Sequence, residues 1–548
     1  MSLISAKSII NYQLSNIKQK IIYNAAFEKL MSIAVLKMTR ACVFIQRFFI
    51  LNLLFLNSMQ TSKKKMDIPE KERGLVFQGG GSLGAYEAGA YKALYEFLSN
   101  RDKEQQKTGK PTFNIIAGTS IGAINAAVLV SYVVENQTYE GSAERLVDFW
   151  NYLSKESIVE TNPFFKPWWD YWHTINGKTA SGEAARRYYS AREFAVYGVP
   201  TVFYPYLPTY DNRFYDPDNT WYRYSNEPLR QSLERFAKFP IATTQEENQP
   251  RLILVAVDVA EGIPVTFDSY PKEDGSRKTE YGRFISHNDK ESGFEHVIRY
   301  DKGITSDHVI ASGSYPVNFD FAKIEVESYN SEATIREADL EKVTSGNDNG
   351  YRKEVRYFWD GGLMTNTPLS QLVLLHRNYW YRVRGLKDAV PRLGACVINL
   401  HPKKQVEIPT DRDGVVNRNA DITFSDRTDR EEDMLMLVSD YVDLVRALIK
   451  MAEEHGVKDD LINNLLNQKT KFKGELVRSR RFQDILEGRF QIDEIIRVNR
   501  KNDEHTISNK TFDFSSETIK LLLERGYNDA HDELNMYKTK LEKMVRFD

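Results

Sequence analysis

Three short stretches carry residues that can do chemistry together. Gly118-Thr119-Ser120-Ile121-Gly122 sets a serine between two glycines. An apolar run, Phe113 to Ala117, leads into it, and small and apolar residues, Ala123 to Val134, lead out. That order predicts strand, sharp turn and helix. It is the G-x-S-x-G elbow, in which small flanking residues let strand and helix approach and a strained turn lifts the serine hydroxyl out of the sheet. The second stretch is Gly79-Gly80-Gly81-Ser82-Leu83-Gly84. It comes after a short apolar strand pattern, Gly74 to Gln78. It precedes a helical one, Ala85 to Leu98, where Ala88, Tyr91, Ala93, Leu94 and Leu98 recur near helical spacing. Glycines at a helix start expose backbone N–H groups where the helix dipole favours negative charge, which is what a tetrahedral acyl intermediate needs. The third is Asp360-Gly361-Gly362, closing an apolar-aromatic strand, Val355 to Trp359. A partly desolvated carboxylate hydrogen-bonded to a hydroxyl can take its proton directly.

Each stretch also has a plainer reading. Gly79-x-Gly81-x-x-Gly84 matches the dinucleotide fingerprint, but that pattern wants a carboxylate about 20 residues on, closing a second strand. Here Asp102 to Gln105 belong to a polar loop. An isolated Asp-Gly-Gly is ordinarily a turn. Acyl transfer is favoured by the combination, because all three stretches sit at predicted strand ends. In open α/β sheets ligands bind outside the carboxyl ends of the strands. Histidine is the more usual base. His376, His401, His455, His505 and His531 come after Asp360. His401, just after a strand, is the best placed, although a structural or surface role suits each of them better.

The elements that must position these residues read as α/β. Two strand-turn-helix units in succession predict a parallel-rich central sheet with right-handed crossovers and helices on both faces. Arg251 to Val259 is a strand buried on both faces, with Val265 to Phe267 as its returning partner. Thr305 to Ser312 and Leu369 to Tyr379 read as helices, and Leu393 to Leu400 as a last buried strand. Lys272 to Gly293 and Tyr329 to Gly350 are polar and predict loops. Residues 141–240 interrupt the rhythm, with about 22 aromatics between Phe149 and Tyr224. They form either a small core of their own or a lid or mouth for an apolar substrate or membrane surface, and both can hold. Beyond about Pro409 the pattern is mainly helical, with the stripe Met434, Leu437, Val438, Tyr441, Val445, Leu448 and Ile449. Basic residues accumulate from Lys469 to Arg489 and read as a solvated helical face.

The bulk composition bounds the function. The chain has 548 residues, 41% hydrophobic and 27% charged, with net charge -2, so it is not a nucleic-acid binder working by bulk charge. Cys42 and Cys396 cannot make a disulfide framework, and a reducing compartment is the simplest fit. The nine histidines show no metal-ligand spacing. Residues 1–66 differ in character from the rest of the chain. Their apolar stretch Cys42 to Leu56 is interrupted by Arg47 and leads to Lys63-Lys64-Lys65. Its unbroken part, Phe48 to Leu56, falls short of the ~20 residues that span a bilayer. An amphipathic surface or packing helix, a leader, and an anchor or signal are the readings it allows.

Taken in order, the three motifs resemble the patatin-like phospholipases, lipid acyl hydrolases of three-layer α/β/α fold with a Ser–Asp dyad. Ala311-Ser312-Gly313-Ser314-Tyr315-Pro316 and Asn366-Thr367-Pro368 support the likeness. Phe512 to Ala530, with Gly526-Tyr527, resembles the tail of bacterial-type members with a helical extension. The resemblance implies Ser120 as nucleophile and Asp360 as base. It implies backbone amides of Gly80, Gly81 and Ser82 as the oxyanion hole, with Gly79, Gly84, Gly118, Gly122, Gly361 and Gly362 as motif glycines. Leu83 departs from the Arg or Lys of many members, so any charge from that side chain is lost. The chain then divides into a leader or membrane-proximal segment (1–66), a catalytic domain (72–408, with 141–240 as insert) and a helical C-terminal region (409–548). No cofactor or metal is expected. The expected partner is a lipid ester met in transient contact with a membrane surface, with the protein cytoplasmic or peripheral at the inner face of the membrane.

Overall fold

The computed structural model describes residues 68–105, 111–157, 180–205, 222–285, 292–329, 351–387, 390–469, 481–490, 492–503 and 505–545, with isolated positions between 161 and 171. The chain divides into two compact units, Met1–Ile68 and Pro69–Asp548. The apolar stretch and the lysine run of the first unit lie outside the described residues, as do residues 330–350 and Phe165, Trp168, Trp169, Trp172 and Tyr206 of the aromatic insert.

The second unit is built on a ten-stranded sheet. Its strands are β1 (Lys71–Phe77), β2 (Ile115–Thr119), β3 (Arg251–Asp258), β4 (Ile263–Asp268), β5 (Lys278–Ile285), β6 (Ser292–Arg299), β7 (Ala322–Tyr329), β8 (Tyr351–Asp360), β9 (Arg392–Asn399) and β10 (Ile492–Asn499). The helices used below are α1 (Gly84–Glu104), α2 (Ile121–Asn136), α3 (Ser142–Leu153), α4 (Ala180–Tyr197), α5 (Glu227–Phe236), α6 (Ser306–Gly313), α7 (Leu369–Asn378), α8 (Arg412–Phe424), α9 (Asp429–Glu454), α10 (Asp459–Leu466) and α11 (Ser516–Val545).

The spatial order is β10-β9-β1-β2-β3-β8-β7-β6-β5, with β4 paired to β3. From β10 to β3 every pairing is parallel. From β3 outward every pairing is antiparallel. The centre of the parallel half is covered on both faces, so β2 is apolar but for its closing Thr119 and β3 is apolar between Arg251 and Asp258; all eight residues of β3 are buried. Alternate residues serve two cores. Leu75 and Phe77 of β1 and Leu252 and Leu254 of β3 face the larger one, with α1 and α2. Val76, Ile115, Ala117 and Ile253 face the smaller one, under Leu369, Leu372 and Val373 of α7. This is the period-2 logic of a strand inside a three-layer sandwich.

The C-terminal region joins the same sheet. β10 extends it beside β9, and α11 lies along α1. A Cβ on Gly89 would sit 1.9 Å from the Leu523 carbonyl oxygen, and one on Gly526 2.0 Å from that of Tyr86. The two helices therefore pack backbone to backbone, a geometry that small residues permit.

Two expectations need correction. Asp102 to Glu104 are not loop: they form the last turn of α1. Lys272 to Gly293 is not all loop: it holds β5 and the first residues of β6. Thr279 and Tyr281 are buried while their neighbours are polar, so the composition masked a half-buried edge strand. The region beyond Pro409 holds β10 as well as helices. On α9 Val442, beside the apolar stripe, is buried, whereas Met434, Leu437, Tyr441 and Leu448 of the stripe are exposed. The apolar arc of that helix is wider than its contact with the domain.

Candidate active site

Ser120 sits between β2 and α2 with φ 57° and ψ -126°. That is a strained conformation for a residue bearing a Cβ, and strain of this kind concentrates at functional sites. The elbow is forced by close approach. A Cβ on Gly118 would lie 2.2 Å from the Gly122 carbonyl oxygen, and one on Gly122 would lie 2.5 Å from that of Phe77. The Ser120 N–H donates to Ser312 Oγ (3.0 Å), whose own hydroxyl donates to the Val255 carbonyl (2.6 Å). The Ala311–Pro316 block thus ties the elbow to β3.

Asp360 reaches the serine in an unexpected way. β8 runs antiparallel to β3, with Asp360 opposite Ala256, and β2 places Thr119 opposite Val255. The carboxyl end of β8 therefore stops inside the sheet at the height of Ser120. It enters from beyond the carboxyl edge of the parallel strands instead of ending at that edge beside them. Ser120 Oγ donates to Asp360 Oδ2 at 2.5 Å, and the Gly362 N–H donates to Oδ1 at 2.7 Å. Asp360 is 2% exposed. Burial pushes its carboxyl up to about 7, against the pull of the hydrogen bonds from Ser120 and Gly362.

Gly80 and Gly81 line the same pocket as Ser120 and Asp360. Gly81 has φ 58°, which suits glycine. The backbone hydrogen bonds of the described residues leave the N–H groups of Gly80 and Gly81 unused. Ser82 stands behind the loop, outside the pocket lining, and its hydroxyl donates to the Lys510 carbonyl (2.8 Å). Gly84 begins α1, packed against Ile121 and Trp150. Leu83 is buried and borders a neighbouring small cavity that Arg187, Arg500, Lys501, Lys510 and Arg525 also line, so positive charge behind the loop comes from other parts of the chain.

The pocket has a volume of about 320 Å³. Its apolar wall includes Ile121, Ile124, Phe203, Phe319, Phe424, Phe512 and Phe514. Phe203 from the aromatic insert packs edge-on against Phe512 and Phe514. Among the described residues of that insert, Phe149 and Trp150 are core and Phe203 lines the pocket. Sequence reasoning missed how much of the wall comes from after residue 400: His401, Ala420, Phe424 and Ser508 to Phe512 all contribute. The sequence signals for it were His401, just after a strand, and the aromatic Phe512 opening the C-terminal stretch.

Among the described residues no histidine reaches Ser120. His376 is buried between Glu72 and the Pro391 carbonyl. His401 does come to the site, but its Nε2 lies 3.2 Å from the Gly79 carbonyl oxygen. Glu261, Glu295 and His296 place ligand atoms near one another, but Arg356 Nη2 already donates to Glu261 (2.9 Å), which is a poor setting for a cation. Cys396 is buried and reduced.

A serine elbow, a buried carboxylate and a glycine loop thus meet at one largely apolar pocket of an α/β fold. The chain is a member of the patatin-like phospholipase family, whose model matches residues 75–373. The crystal structure of VipD from Legionella pneumophila is similar at 12% sequence identity and TM-score 0.24, covering 85% of this chain and 67% of that one. No curated protein matches the chain. Among the described residues no helix is long and apolar enough to cross a membrane.

Proposed function

We propose that the protein hydrolyses carboxylic ester bonds of lipids through a Ser120–Asp360 dyad. Asp360 accepts the Ser120 proton as Oγ attacks the ester carbonyl, and the N–H groups of Gly80 and Gly81 receive the oxyanion. The proton passes to the leaving alcohol as the C–O bond breaks, leaving an acyl-serine. Asp360 then takes a proton from water, which attacks the acyl carbon, and Ser120 recovers its hydrogen as the fatty acid leaves. The observation that carries this reading is the 2.5 Å hydrogen bond from Ser120 Oγ to a carboxylate buried in an apolar pocket. A base raised to about 7 is well matched to proton transfer near neutral pH. Because the ionised form does the work, turnover falls as pH drops through about 7.

The substrate is a lipid ester met at a membrane surface. Three segments that line the pocket also carry exposed apolar side chains: Val317 beside Tyr315 and Phe319, Leu363 and Met364 after Asp360, and Val406, Ile408 and Ile422 between His401 and Phe424. Exposed apolar side chains on segments that also line an apolar pocket suit a site that draws its substrate from a bilayer. The test is hydrolysis of phospholipid, galactolipid, monoacylglycerol and short p-nitrophenyl esters by wild type, Ser120→Ala and Asp360→Asn. Turnover of at least one ester that both substitutions abolish is expected. Equal rates in wild type and Ser120→Ala would overturn the reading.

A further inference from the structure

The Gly79–Gly80 peptide is held through its carbonyl, and the peptide before it through the Gly79 N–H. The Gly79 N–H donates to the Asn366 carbonyl (3.2 Å), and the Gly79 carbonyl accepts from Asn366 Nδ2 (3.2 Å) and faces His401 Nε2 (3.2 Å). A trans peptide is planar, so its C=O and the next N–H point in opposite directions. Holding the Gly79 carbonyl against His401 and Asn366 therefore aims the Gly80 N–H away from those two side chains, and Gly80 itself lines the pocket. The carbonyl can only accept, so this contact is a hydrogen bond when the ring hydrogen is on Nε2. On its other side His401 Nδ1 lies 3.3 Å from Asp421 Oδ1. That carboxylate is already engaged: Lys510 Nζ donates to Oδ1 (2.5 Å) and Asn502 Nδ2 to Oδ2 (2.6 Å). Arg500, whose Nε donates to the Leu400 carbonyl (2.7 Å), adds a further buried positive charge near this cluster. Lys510 and Asn502 offset part of the Asp421 charge, which weakens its pull on the hydrogen of a neutral ring and favours Nε2–H on Gly79.

We propose that His401 is a positioning residue for the oxyanion hole: its Nε2–H fixes the Gly79 carbonyl and so aims the Gly80 N–H at the bound ester, and Lys510, acting through Asp421, keeps the ring hydrogen on Nε2. The family match ends at residue 373, so this device is supplied by the C-terminal part of the chain. The inference rests on the ester-hydrolase reading, and the experiment separates the two.

The experiment measures kcat and KM on a soluble ester for wild type, His401→Leu, His401→Gln and Lys510→Met. Each rate is normalised to the Ser120 sites labelled at the end point by a fluorophosphonate, so misfolded protein does not count. Loss of a whole oxyanion donor lowers kcat by ~10²–10³; a misaimed one should lower it by roughly tenfold to a hundredfold with KM little changed. His401→Leu is expected to show that fall. His401→Gln, whose amide Nε2 can still donate to Gly79, is expected to keep most of kcat. Lys510→Met frees Asp421 Oδ1 to draw the ring hydrogen to Nδ1, so its kcat should fall toward that of His401→Leu. The ¹⁵N shifts of the His401 ring give an independent readout: Nε2–H in wild type and Nδ1–H in Lys510→Met. Unchanged kcat per labelled site in His401→Leu, or a wild-type ring carrying its hydrogen on Nδ1, would overturn the proposal. Should His401→Leu not fold, the wild-type ring shifts still decide. Absence of any Ser120-dependent turnover would instead count against the ester-hydrolase reading.

Discussion

Asp360→Asn should make the protein more stable while removing its activity, and the gain should depend on pH. The carboxyl is buried and raised from 3.8 to about 7, chiefly by desolvation of its charged form. At 1.36 kcal/mol for each factor of ten in the ionisation constant, holding this group ionised in the folded state costs about 4 kcal/mol. Proton counting sets the sign. Between 3.8 and about 7 the folded protein holds this proton more tightly than the unfolded chain, so wild-type stability falls as pH rises through that window and then levels off. Asparagine has no such charge. Its amide oxygen can still accept from the Gly362 N–H, and its NH₂ can donate to Ser120 Oγ, so the two contacts survive in altered form. Denaturant unfolding of both proteins from pH 3.5 to 8.5 is the assay. The stability difference should be small at pH 3.5 and grow to as much as about 4 kcal/mol in favour of the variant at pH 8.5. A difference that stays flat across this range would refute the reasoning, because it would mean that Asp360 is not held ionised at a cost.

Two further predictions concern the elbow and the exposed apolar side chains. Gly122→Ala puts a Cβ 2.5 Å from the Phe77 carbonyl oxygen, against backbone that cannot yield locally, and should destabilise the protein by about 3 kcal/mol or more, read as a lowered Tm. Val406→Asp combined with Ile408→Asp alters two fully exposed side chains, so it should weaken flotation with phospholipid vesicles while leaving turnover of a soluble ester unchanged. Equal vesicle binding by this variant and wild type would count against membrane contact by that segment.

Much of the site was legible because its parts are local. The serine elbow and the glycine loop each need small residues at fixed offsets next to a strand and a helix, and such offsets show in a single sequence. β3 was legible because burial on both faces leaves an unbroken apolar run between Arg251 and Asp258. What stayed hidden depends on pairing. Nothing in Val355 to Asp360 says that β8 runs antiparallel to β3, yet that direction sets Asp360 at the height of Ser120. β5 was hidden because an edge strand is polar on its solvent side, so Lys278 to Ile285 looks like loop from composition. The wall after residue 400 was hidden for the same reason as β8. Lys510 and Ser82 are neighbours only because β10 and α11 fold back onto β9 and α1. His401 was visible as a residue just after a strand, but its partner, the Gly79 carbonyl, is backbone and leaves no mark in the sequence.

The central claim is that Ser120 is a nucleophile activated by Asp360. Its most direct measurement is mass spectrometry of the folded protein after brief exposure to a fluorophosphonate at pH 8, compared with Asp360→Asn and with denatured wild type. The account predicts one adduct, on the peptide containing Ser120, formed rapidly in wild type and at least ~10²-fold more slowly in Asp360→Asn and after denaturation. An adduct on another residue, or equal labelling of Ser120 with and without Asp360, would contradict it.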